Sequence, residues 1–170
     1  NEKITPEKIN YILSKKATQN IFDFNITEKD EIISLLTQVG FHWGLDASER
    51  LGEEKNTLEW CLNRITLGLI YDKEVNTSSF HLKPFSSKNV SLDLNKWVRI
   101  LLHLKNYINL LRGSFSYTIW VEKTKFILKN IADSSGNFNL EISEITRILD
   151  NYATSLIPDD LILLNVFREI

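Results

Sequence analysis

Apolar residues recur along this chain at spacings of three and four, and no stretch alternates with a period of two, so the pattern predicts an all-α protein. Ile9, Ile12 and Leu13 form a short stripe behind Pro6, a residue tolerated in a helix's first turn, and predict a helix to about Lys16. A brief segment, Ala17 to Phe24, carries Ile21, Phe22 and Phe24 into the next element. Thr27 with Asp30 reads as an N-cap followed by an acid at the third position. The helix it opens has Ile32, Leu35, Leu36 and Val39 as its core face, and Gly40 ends it, because a left-handed residue after a helix costs least as glycine.

Asn56 with Glu59 is a similar capping pair, opening a helix from Thr57 to Tyr71. Leu58, Leu62, Ile65 and Leu69 line one side of it and Trp60, Leu67 and Tyr71 another, so it is expected to be covered twice. Gly68 in its interior costs about 1 kcal/mol relative to alanine, most readily offset where another backbone packs close. Lys73 to Val90 shows no period and reads as a loop pinned by Phe80, Leu82 and Phe85.

The longest predicted helix runs from Leu92 to Arg112, with Leu94, Trp97, Leu101, Leu104, Ile108 and Leu111 as its stripe, widened by Val98, Leu102 and Tyr107. Gly113 stops it, and Ser116 caps a helix through about Ile131 that uses Trp120, Ile127, Leu128 and Ile131. After a turn, Leu140 to Leu156 presents Ile142, Ile145, Ile148, Leu149 and Tyr152, and Pro158 opens a last helix. No Pro/Gly/Ser linker or internal repeat interrupts this series. The expectation is a single compact bundle of six to seven helices over residues 1–170.

Composition narrows the function classes. A chain of 170 residues buries about 70% of its unfolded surface without a disulfide or metal. The formal net charge of −2 supplies no global attraction to nucleic acid or acidic membranes, and no apolar run is long enough to span a bilayer. The single cysteine, Cys61, forms no internal disulfide and reads as a small buried hydrophobe, which suits a reducing cytoplasm. The chain lacks methionine and stops at "LILLNVFREI" inside what reads as an unfinished helix, which suggests a piece of a larger polypeptide.

The chemical candidates concentrate between Gly40 and Asp72. His42 and Asp46 resemble an acid/base pair, but proton transfer also needs a substrate held against the base, and a lone pair four apart supplies only an orienting partner. Gly40 and Gly44 are better read as shaping a tight corner that Phe41, Trp43 and Leu45 anchor in the core while Asp46 caps the segment after it. His42, His81 and His103 fall at no metal-ligand spacing, and Glu49, Glu53 and Glu54 read as a solvated loop. "PDD" at Pro158 to Asp160 resembles part of a magnesium nuclease motif whose later lysine never arrives; acids in a helix's first turn explain it. Phosphate-loop and nucleophile-elbow motifs are missing too, so no catalytic or metal residue is assigned.

Charge is segregated. Leu92 to Ile131 carries a net +5, whereas Ala132 to Ile170 carries a net −5. Lys96, Arg99, His103 and Asn106 follow one helical stripe, which with Arg112 is a candidate contact for a DNA backbone or an acidic partner. The plainer reading is a solvated face neutralised by acidic neighbours.

Two motifs carry a family resemblance. "GFHWGLD", Gly40 to Asp46, followed after an acidic loop by "EWCLNRITLGLIYD" with Trp60, Leu62, Arg64, Leu67 and Gly68 in matching places, resembles the gamma-chain family of exodeoxyribonuclease V, the RecC family. Cys61 stands where the family has a small residue, and its aromatic after the glycine is displaced toward Tyr71. "KPF" at Lys83 to Phe85 and Trp120 extend the likeness more loosely. The resemblance implies the helical 2B-type insertion of a superfamily-1 helicase-like region that has lost its ATP motifs. It further implies a helicase–nuclease processing DNA double-strand breaks for recombinational repair, whose beta and alpha subunits are the partners and hold the ATP and Mg chemistry. No cofactor is expected in this stretch, no membrane contact, and a cytoplasmic location.

Within that resemblance Gly40, Trp43, Gly44, Leu45, Asp46, Trp60, Arg64 and Gly68 are structural motif positions. Arg64 is expected to donate to helix-end carbonyls or to Asp46, with a partner or phosphate contact as the alternative. The expected role is subunit scaffolding and guidance of DNA. The alternative is a free-standing helical nucleic-acid-binding module using Lys96, Arg99 and Arg112.

Overall fold

The computed structural model describes residues 3–71, 82–86, 90–135, 139–155, 161–163 and 167. Phe80, His81 and most of the expected 73–90 loop lie outside the described residues, as do Pro158, Asp159 and Asp160. Seven α-helices appear among the described residues: α1 (Pro6–Leu13), α2 (Lys16–Phe22), α3 (Ile26–Val39), α4 (Leu58–Ile70), α5 (Leu94–Leu110), α6 (Tyr117–Ser135) and α7 (Asn139–Ser155). The chain divides into two compact units, Asn1–His103 and Leu104–Ile170.

The first unit forms because several short helices each turn one apolar face inward. Thr5 caps α1 by accepting the Lys8 N–H, Pro6 occupies the first turn, and Ile9 and Leu13 are buried. α2 is a helix in its own right, ended by Asp23 in the left-handed region, which delivers the buried Phe24 against Trp97 at 4.9 Å. On α3 the expected Ile32, Leu35, Leu36 and Val39 are all buried. The cap of α3 differs from the expected Thr27. Asn25 accepts the Glu28 N–H and the Glu28 carboxylate accepts the Asn25 N–H, each at 2.9 Å, so two free donors are satisfied reciprocally.

α3 packs against both α1 and α4, and Leu58, Cys61, Leu62 and Ile65 extend the core from α4. Leu94, Trp97, Ile100 and Leu101 on α5 are buried as well. The rest of the expected α5 stripe is less covered: Leu102 is exposed, and Val98, Tyr107, Ile108 and Leu111 are half-buried. α5 begins with Asp93, whose carboxylate accepts the Lys96 N–H at 3.1 Å.

In the second unit α6 and α7 pack on each other. Ser116 accepts the Ile119 N–H at 3.4 Å, the expected cap of α6. The helix expected after Pro158 gives way at Ile162–Leu163 to a short strand, β2, antiparallel to β1 (Ser114–Phe115), with Ser114 opposite Leu163 and Phe115 opposite Ile162. The buried Trp120 fixes this pairing: its indole N–H donates to the Ile162 carbonyl at 2.9 Å, and its ring meets Phe115 edge-on and stacks on Phe167. A backbone tied to a neighbouring strand and to an indole at these positions satisfies its polar groups sideways instead of along a helix.

The reciprocal cap on α3 yields a quantitative expectation. Asn25→Ala removes an exposed cap and is expected to lower stability by about 1 kcal/mol, read by chemical denaturation, whereas Thr27→Ala is expected to change it by under about 0.5 kcal/mol.

Candidate functional site

The two motif segments of the first unit meet at one joint. α3 ends in a left-handed turn at Gly40, with φ at 105°. The Gly40 N–H reaches the Thr37 carbonyl at 3.0 Å and the Phe41 N–H reaches Leu36 at 2.9 Å, the paired bonds of a Schellman ending. Phe41 and Leu45 are buried on either side of a second left-handed glycine, Gly44, whose N–H donates to the Ile4 carbonyl at 2.7 Å.

The corner's carbonyls then cap the next helix. The first four N–H groups of an α-helix have no partner inside it. At the start of α4 the Leu58 N–H donates to the Gly44 carbonyl and the Glu59 N–H to the Leu45 carbonyl, each at 2.9 Å. The Trp60 N–H goes to the Thr57 hydroxyl at 3.2 Å. Thr57 is therefore the cap, one residue beyond the expected Asn56. Asn56 takes φ of 67°, and its carbonyl accepts the His42 N–H at 3.0 Å.

Arg64 closes the far side. Its guanidinium donates to the carbonyl of Val39 at the end of α3 and, through Nε at 2.9 Å, to the carbonyl of Lys83, while lying 4.7 Å from the centre of the Trp60 ring. The Phe85 N–H returns a bond to the Arg64 carbonyl at 3.0 Å. Residues 83–85 are thereby laid across α4 at Gly68. A Cβ built on Gly68 would stand 1.8 Å from the Phe85 carbonyl oxygen, so no side chain fits there. This is the close backbone approach that the cost of an interior helical glycine anticipates.

The polar residues of the first motif are occupied locally. Asp46 caps a 3-10 turn, Ala47–Arg50, by accepting the Ser48 N–H at 3.0 Å and the Ser48 hydroxyl. Glu49, expected in a solvated loop, is half-buried and accepts the Leu45 N–H at 2.8 Å. Glu53 and Glu54 are exposed. His42 is exposed, while the Asp46 carboxylate serves the turn. Among the described residues no group of three His, Cys, Asp or Glu side chains is placed to hold a metal ion.

Trp43 departs from its expected place in the core. It is half-buried, with the Lys3 ammonium 4.4 Å and the Arg50 guanidinium 5.0 Å from its ring centre. The indole covers the corner from outside, held by cation–π attraction worth about 0.5–1 kcal/mol at exposed sites. Trp60 is also half-buried.

The basic stripe fares unevenly. Lys96 turns back onto its own unit, donating to the Asp23 carbonyl and pairing with Glu28 at 3.4 Å. Arg99 and His103 are exposed, and Arg112 is half-buried in the second unit. Sequence reasoning missed the parts played by Glu49, Thr57 and the Asp23 carbonyl. Thr57 has a sequence signal as a capping residue directly before an apolar helix, and Glu49 has one in its place three residues after the capping Asp46; the Asp23 carbonyl has none, since its partner Lys96 lies far along the chain.

Cys61 is buried beneath the joint. Burial pushes its thiol up to about 12, against a smaller opposing pull from Arg64. Over residues 2–170 the chain matches the family model described as RecBCD enzyme subunit RecC fourth domain. No curated protein matches it.

Two outcomes are expected at the joint. Gly68→Ala gains about 1 kcal/mol of helix propensity but drives a methyl into the Phe85 carbonyl, and is expected to lower stability by about 2–3 kcal/mol in denaturant titrations. For Cys61, the unfolded thiol ionises near 9.0 while the folded one keeps its proton to about 12. Its contribution is complete below pH 9 and lost as pH rises toward 12. Stability is expected to fall across that window by up to about 1.4 kcal/mol per pH unit more steeply than in Cys61→Ala, measured as the pH dependence of unfolding.

Proposed function

The chain belongs to the RecC family, and on that footing we propose that it serves the RecBCD enzyme as a non-catalytic helical subdomain, acting in subunit scaffolding and in guiding DNA. At the coarser level, this is a domain of the RecC subunit of the helicase–nuclease exodeoxyribonuclease V, which acts in DNA repair and recombination. The finer reading rests on one observation above all. The polar groups that tie the joint together bond to backbone: Arg64 to Val39 and Lys83, Asp46 to Ser48, Glu49 to Leu45, and the Gly44 and Leu45 carbonyls to the start of α4. Donors and acceptors used in this way tie the end of α3 to the start of α4.

In this reading the domain is the helical 2B-type insertion of a helicase-like region. Its partners are the alpha and beta subunits, where ATP and magnesium do their work, and it operates in the cytoplasm. DNA reaches it through the assembled enzyme. A free-standing nucleic-acid-binding module built on Lys96, Arg99 and Arg112 is the weaker alternative, because Lys96 is drawn back to Asp23 and Glu28.

The test uses full-length RecC assembled with its partner subunits. Arg64→Ala is expected to reduce the yield and thermal stability of the complex while leaving unwinding and nuclease activity per assembled complex within about twofold of wild type. The triple change Lys96→Glu, Arg99→Glu and Arg112→Glu is expected to leave DNA-end affinity within about threefold. Activity lost on His42→Ala or Asp46→Ala in a fully assembled complex would defeat the non-catalytic reading. A loss of affinity of about a hundredfold or more in the triple variant, with a reduced salt dependence, would favour the alternative.

A further inference from the structure

We draw no further inference here: the strongest candidate, the exposed apolar row of Ile119 and Phe126 on the outer side of α6, carries nothing because nothing in the structure shows what covers it.

Discussion

The N-terminus of α4 governs the first unit. A helix end brought against a core must find acceptors for N–H groups that its own carbonyls cannot reach, and an unmade hydrogen bond in a buried setting costs about 1–3 kcal/mol. Here the acceptors are the carbonyls of Gly44 and Leu45, and they face α4 only because Gly40 and Gly44 both take positive φ. The direction in which the chain leaves α3 is thus set by the needs of a helix that begins only after eighteen intervening residues. Arg64 reinforces the arrangement by carrying a guanidinium from α4 back to the last carbonyl of α3. One helix end is supplied with acceptors and the other with a cationic donor, each matching the partial charge that accumulates there.

Much of this was legible in the sequence, and the parts that were not share a physical cause. The buried faces of α3 and α4 follow from periodicity, because a helix's inward residues are fixed by its own repeat. Gly68 was informative for a different reason: a residue that weakens a helix signals a compensating contact, and the Phe85 carbonyl supplies it. Cap positions slipped by one or two residues where neighbouring Asn, Thr and Asp side chains compete for the same N–H groups, as around Asn25 and Thr57. The placement of Trp43 was missed because a large aromatic beside a corner serves equally well under the chain or over it, and cations distant in sequence decide between the two. The strand at Ile162–Leu163 was hidden for a related reason, since two residues carry no period and their partners lie almost fifty positions earlier.

The family tie and the geometry bear on function at different levels. Membership in the RecC family identifies the enzyme to which the domain contributes. The geometry speaks to the manner of that contribution. In a reaction centre, polar groups converge on a space where a substrate stands. At this joint they converge on peptide bonds, and burial holds the Cys61 thiol protonated. Rigidity is what such an arrangement provides.

The short acidic loop between the two motifs is closed at its base. His42 binds Asn56 through the backbone, and Arg50 reaches the carbonyl of Lys55 and the carboxylate of Glu53 while lying over Trp43. Its outermost residues, Leu51 to Lys55, are exposed, and nothing lies within 4 Å of a Cβ built on Gly52. Extra residues spliced beside Gly52 would leave the His42–Asn56 bond at the base in place, and doubling a flexible loop's length costs only about 0.6 kcal/mol. The domain therefore carries a ready-made insertion point, where sequence length can drift or a tag can be grafted without disturbing the angle between α3 and α4.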